Sequence, residues 1–269
     1  MGAGQFLGTT IPAGTDGVTS LKIALDTIFT HPNTAPFVSK QLIQHLVTSN
    51  PSPAYVQRVA TVFANNGSGV RGDMRAVIKA ILKDSEARDD AGAAASTTFG
   101  KLREPLLRFT GWARAFGATS PSGTWPIGNT SNFLGQSVGH SPSVFNFFRP
   151  GYTPPNSEVG KRQLVAPEFQ ITNEVSVINY INFMIVTVRN GWGDFKGNFT
   201  DYLAKAPDSQ ALLDEINLRV AANQVSAATV AQIKAAVDSL PTATPANLQD
   251  RVNTATVLMM ASPEYLVLK

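Results

Sequence analysis

Along most of this 269-residue chain, apolar side chains return every third or fourth residue behind a Ser, Asp or Thr. That spacing sets them on one face of an α-helix and leaves no alternating run from which a strand could be made. "SLKIALDTIFTHP" places Leu21, Ala24, Leu25 and Ile28 on one stripe, with Ser20 as cap and Pro32 as stop. The next helix, in "NTAPFVSKQLIQHLVTSNP", aligns Val38, Leu42, His45 and Leu46. Ser52 caps a third, with Pro53 in its first turn, where a missing N–H costs nothing, and Val56, Val59, Ala60 and Phe63 facing inward. Asp73 caps a fourth that carries Met74, Val77, Ile78, Ile81 and Leu82. A fifth, "KLREPLLRFTGWARAFG", lines up Leu102, Leu106, Phe109, Ala113 and Phe116 with Trp112 beside them. "NEVSVINYINFMIVTVRN" is apolar almost all the way round, which predicts a central buried helix in which Asn179 and Asn182 find partners inside. Three more helices open at Ser209, Ser226 and Thr244–Pro245. The fold class that follows is all-α, a multi-helix, bundle-like domain.

One segment breaks the pattern. From Gly117 to about Pro167 no period is visible, yet the stretch holds Trp125, Phe133, Phe145, Phe147, Phe148 and Tyr152. Connections longer than about 15 residues without regular structure are uncommon, and disordered segments are poor in aromatic residues. Residues 117–167 are therefore expected to form one long structured loop, rich in aromatic, Pro and Gly residues, laid down on the helices. Within "HSPSVFNFFRPGY", Phe145 and Phe148 are expected to plug the core and Arg149 to tie loop carbonyls or a carboxylate. The outer side of the loop is expected to form one wall of a ligand cleft. Residues 1–19 read as an extended arm, 20–90 as an N-terminal helical group and 91–100 as a linker. Residues 101–269 hold a helix, the long loop and a C-terminal helical group, expected to share one integrated domain with 20–90.

Composition narrows the partners. Charged residues make up 15% of the chain and the net charge is only +3, against about a quarter charged in ordinary globular chains. No dense basic run exists, so a nucleic-acid surface is excluded as a reading. A surface of Asn, Gln, Ser and Thr suits a neutral, hydrogen-bonding partner: a polysaccharide, or a companion protein. Cysteine is absent, which removes disulfides, thiolate zinc sites and thiol nucleophiles together. His31, His45 and His140 lack metal-ligand spacing, so neither a metal nor a cofactor is expected. No apolar run is long enough to span a membrane, and the first residues lack the basic and apolar pattern of a secretion signal.

Two catalytic patterns can be weighed. "GQSVG", Gly135 to Gly139, has the letters of a nucleophile elbow, but no strand precedes Ser137 and no helix clearly follows it, which favours a plain turn. Glycosidic hydrolysis needs two carboxylates about 5–10 Å apart. Glu158, Glu168 and Glu174, in or after the aromatic loop, are the candidates, with Glu168 also expected to cap or to pair with Arg162. Trp125, Phe148 and Tyr152 offer flat faces on which a sugar ring could stack, and with His140 and Arg149 they make up the candidate ligand-binding set.

Several stretches taken together carry a resemblance. They are "ALDTIFTHPNTAPFVSKQLIQHLV", "GDMRAVIKAILKDSEAR", "KLREPLLRFTGWARAFG", "LGQSVGHSPSVFNFFRPGY" and the closing "ASPEYLVLK". From about Gln5 onward the chain resembles the C-terminal part of the bacterial family called domain of unknown function 1800. The resemblance implies a piece of a longer, exported protein, extracytoplasmic in location, and supplies no catalytic residues. The expected function is a helical binding domain for a neutral polysaccharide or a companion protein; the alternatives are a glycoside hydrolase and a helical part whose activity resides elsewhere.

Overall fold

Helices begin where a short oxygen-bearing side chain can catch the free N–H groups of the first turn. In the structure, a computed structural model that describes residues 2–269, Asp16 does this for Val18 and Thr19, so α1 (Gly17–Thr30) opens ahead of Ser20. The stretch read as an extended arm holds a hairpin of β1 (Gly4–Phe6) and β2 (Thr9–Ile11), with Gly4 opposite Ile11. Leu7 and Gly8 at its tip both have positive φ, the twist that a two-residue hairpin turn requires. The caps read from the sequence at Ser52 and Asp73 open α3 (Pro53–Ala64) and α4 (Met74–Lys83), which follow α2 (Thr34–Leu46). The short α5 (Ser85–Arg88) and α6 (Asp90–Ala95) come next. The first half of the stretch read as linker is thus helical, because Asp89 caps it at Gly92.

The chain divides into two compact units, Met1–Phe99 and Gly100–Lys269. Each has its own hydrophobic cluster, where one integrated core was expected. The boundary lies where the chain is poor in large apolar side chains, so neither cluster continues through it. The first unit buries Ile43, Tyr55, Val59, Phe63, Val77 and Ile81. α1 buries nothing: Leu21, Leu25 and Ile28 stay exposed. Met74, Ile78 and Leu82 are exposed as well, leaving Val77 and Ile81 as the buried edge of α4. His45 and Leu46 also face outward from α2.

The second unit begins with β3 (Lys101–Leu102), paired antiparallel with β4 (Val267–Leu268), so the fifth predicted helix starts later than expected. α7 (Pro105–Ala115), α8 (Ser131–Leu134), α9 (Glu158–Lys161) and α10 (Glu174–Asn190) follow. Then come α11 (Thr200–Leu203), α12 (Ser209–Ala221), α13 (Ala227–Asp238), α14 (Pro245–Ala261) and α15 (Pro263–Leu266). The fold is therefore predominantly helical, and strands occur among the described residues only as two-stranded ladders. Phe109 and Trp112 of α7, with Phe116 just past its end, pack with Phe183 and Met184 of α10, Leu212 and Ile216 of α12, and Val252 and Met259 of α14. α10 is not the enclosed helix expected. Tyr180, Phe183, Met184, Thr187 and Val188 face inward, while Val175, Ile178, Ile185 and Val186 are exposed. Asn182 points outward, and Asn179 donates to the Asn132 carbonyl. Gly191 ends α10 at φ 80°, where a Cβ would lie 2.4 Å from the Phe195 carbonyl oxygen, so only glycine fits.

Candidate functional site

The aperiodic stretch is folded by side chains that bond to nearby backbone. Gln136 is buried; its Oε1 accepts the Leu106 N–H at the start of α7, and its Nε2 donates to Glu104 at 2.7 Å. Ser137 is also buried, accepts the Thr130 N–H at 3.1 Å and shares a 2.6 Å bond with the Ser131 hydroxyl. "GQSVG" is therefore a fastening for two helix starts, and its serine has no opening to a substrate.

Ser143 to Asn146 form a tight turn closed by the Asn146 N–H on the Ser143 carbonyl, with Asn146 at φ 64°, a conformation asparagine tolerates. Val144 and Phe145 sit at its tip. Phe145 is consequently 56% exposed and does not plug the core, whereas Phe148 is 4% exposed and does. Phe148 for that reason offers no face to a ligand, contrary to its place in the sequence-derived set. Beyond it the chain is tied crosswise. The Arg149 N–H donates to Gln170 Oε1 at 2.8 Å, and the Ala166 N–H to the Tyr152 carbonyl at 2.8 Å. The Thr153 hydroxyl reaches the Leu164 carbonyl at 3.0 Å. These bonds hold open a recess of about 620 Å³ lined by Phe145, Arg149, Tyr152, Thr153 and Gln170 around the Pro150–Gly151 backbone.

Of the residues singled out from the sequence, this recess unites Arg149 and Tyr152. The Arg149 guanidinium ties neither a carbonyl nor a carboxylate among the described residues; only its backbone is engaged, the N–H on Gln170 and the carbonyl by the Tyr152 N–H. Trp125 lies apart, half-exposed, its ring 4.6 Å from that of Phe195. His140 is exposed, with Nδ1 on the Val138 carbonyl at 2.9 Å, and does not line the recess. Glu158 is exposed and paired with Lys161 one turn on, and Glu174 is exposed in the first turn of α10. Glu168 does not pair with Arg162. Its carboxylate lies 2.9 Å from the Lys101 ammonium, with both side chains at most 3% exposed. That buried pair fastens β3 to the 3-10 turn Pro167–Ile171. None of the three carboxylates lines the recess.

Gln170, Thr153 and Phe145 complete the lining and were not singled out from the sequence as ligand-binding candidates. The signal available was the Ser-Val-Phe-Asn turn, which lifts its second and third residues out of the core. Gln170 carried no such signal, because only the crossing of two loop limbs brings it to Arg149. Among the described residues, no group of three or more His, Cys, Asp or Glu side chains is arranged to hold a metal, and no helix is long and apolar enough to cross a membrane.

A family model described as "Protein of unknown function (DUF1800)" matches residues 1–267. No curated protein and no solved structure matches the chain.

Proposed function

The chain belongs to the DUF1800 family, and from its own loop geometry we propose that it is a binding module for a neutral polysaccharide, held in the recess at Phe145–Thr153 and Gln170. The observation that carries this reading is a set of unengaged donors beside an exposed ring. The Arg149 guanidinium and the Gln170 amide nitrogen have no partner among the described residues, and Phe145 stands exposed next to them. A pyranose presents apolar C–H faces and a rim of hydroxyls. The first suits the rings of Phe145 and Tyr152, the second the fixed fork of Arg149 and the amide of Gln170. The crosswise bonds at Tyr152 and Thr153 set the recess before a ligand arrives, which lowers the ordering cost of binding. The lining has no carboxylate, so the reading is one of binding without hydrolysis. The same proposal includes a location outside the cytoplasm.

The test is affinity electrophoresis of the full chain in gels containing amylose, xylan or a mixed-linkage glucan, followed by calorimetry on the polymer that retards it. Arg149→Ala and Tyr152→Ala should each weaken binding about tenfold, the loss expected for one charge-assisted hydrogen bond or one stacking face. Equal retention of both variants and the parent chain would remove the recess from the reading.

A further inference from the structure

Buried arginines in this fold show what a satisfied guanidinium looks like. Arg251, 3% exposed, donates to the carbonyls of Ala206, Val237 and Leu240 and to the Ser209 hydroxyl. Arg108, 5% exposed on α7, is treated very differently. Its Nε donates to the Arg103 carbonyl at 2.7 Å, and no terminal amino group of its fork has an acceptor among the described residues. Arg103 lies beside it, held by its N–H on the Leu266 carbonyl at 2.8 Å. The Arg103 Nε is buried without a partner, and its terminal contact to Gln224 is long, at 3.4 Å. The two guanidinium groups stack on tyrosines, Arg108 at 4.7 Å from the Tyr180 ring centre and Arg103 at 4.8 Å from that of Tyr265. Neither is within ion-pair distance of a carboxylate among the described residues; the ionisable groups acting on Arg108 are Tyr180, Tyr265 and Arg103.

A buried cation beside a second, partly buried one, without a counter-charge, is costly, and buried charges are ordinarily paired. Stacking on tyrosine recovers part of that cost, and Arg103 also bonds the Tyr265 side chain, but the Arg103 Nε and the terminal amino groups of Arg108 keep no acceptor among the described residues. Burial pushes the Arg108 guanidinium below its ordinary proton affinity, opposed by Tyr180 and Tyr265 and helped least by the neighbouring Arg103. We infer that Arg103 and Arg108 form a binding site for an oxyanion group, either a phosphate or a carboxylate, with Gln224 at its edge. Two neighbouring planar forks match the paired oxygens of such a group. Arg103 is only partly buried, so the cluster opens to solvent on its side.

The experiment is calorimetric titration of the full chain with inorganic phosphate and, separately, with sodium acetate, at constant ionic strength set by chloride. Thermal denaturation is followed in the same series. The expected result is a saturable one-to-one isotherm with at least one of the two anions, and a melting temperature that rises and then levels with its concentration. Response to phosphate assigns a phosphoryl group, and response to acetate a carboxylate. Arg103→Gln should weaken binding about tenfold, Arg103→Lys nearly as much because the fork is lost, and the exposed Arg162→Gln not at all. Absence of a saturable isotherm with both anions in the parent chain overturns the inference whatever the variants do. So does an isotherm that Arg103→Gln leaves unchanged.

Discussion

The two units use the same helical period and reach different ends. In the second, the apolar faces of α7, α10, α12 and α14 close around Trp112, and one of its buried polar ties is Arg251, a cation that no accessible pH discharges, bonded to three carbonyls. In the first, the faces of α1 and α4 remain largely uncovered. Several of its polar ties are carboxylates. Asp73 caps α4 and holds Asn66; Asp84 takes the fork of Arg58; Glu86 accepts the N–H and hydroxyl of Ser52. The difference teaches that periodicity reveals which side of a helix is apolar. Whether that side becomes core depends on how much chain returns to cover it. The second unit should therefore answer mainly to changes in packing, and the first mainly to changes in charge.

The largest expected effect follows from the closed core. Trp112 is fully buried, with Phe109 stacked at 6.2 Å and Phe195 edge-on at 5.8 Å. Trp112→Ala should cost about 3–5 kcal/mol, the usual loss for emptying a large aromatic site that cannot collapse. Trp112, Trp125 and Trp192 all lie in the second unit, so tryptophan fluorescence during urea unfolding reads that unit alone. The indole N–H has no partner, so Trp112→Phe should cost much less. A loss below about 1 kcal/mol in Trp112→Ala would mean that the core is not closed as described.

Caps and inward faces were legible wherever the information is local. Ser52, Asp73, Ser226 and Thr244 open helices as their positions predict, and Val59, Phe63, Phe109 and Trp112 are buried. Asp16 displaced Ser20 because both can cap and the earlier one adds a turn. α10 misled because a helix can be apolar on two sides while only one is covered. In the recess, Arg149 and Tyr152 were legible as polar and aromatic residues in a loop that had to fold. Phe145 and Phe148 were interchangeable in the sequence, and the turn at Asn146 decided between them. Gln170 and the Lys101–Glu168 pair depend on contacts between distant limbs, which no local spacing encodes.

A smaller effect tests the acidic side of the comparison. Arg58 Nε and one terminal nitrogen each lie 2.7 Å from Asp84, which is 7% exposed in its side chain, and they hold its carboxyl below the ordinary 3.8 against the opposing effect of burial. A folded-state value lower than the unfolded one means that the stabilisation is complete above the unfolded value. It is lost as pH falls through the folded value. The first unit should therefore weaken on acidification below the ordinary carboxylate range, seen as faster amide exchange in α3 and α4. Asp84→Asn should flatten that pH dependence and cost about 1 kcal/mol at neutral pH. An unchanged acid limb in Asp84→Asn would assign the sensitivity to other carboxylates.

The smallest effect is the sharpest test of the contrast, because it asks whether an apolar face is truly uncovered. Leu21 and Leu25 are 60% and 55% exposed on α1, a helix with no buried residue. Leu25→Gln in the full chain should change stability by no more than about 0.5 kcal/mol, the range for surface positions away from special features. Val59→Ala on the buried side of α3 should cost several times as much. The readout is amide exchange in α2 and α3 under mild denaturant, since tryptophan fluorescence is blind to this unit. A cost near that of Val59→Ala would show that something covers α1 in solution, and the two units would then differ in what encloses them instead of in how well they are enclosed.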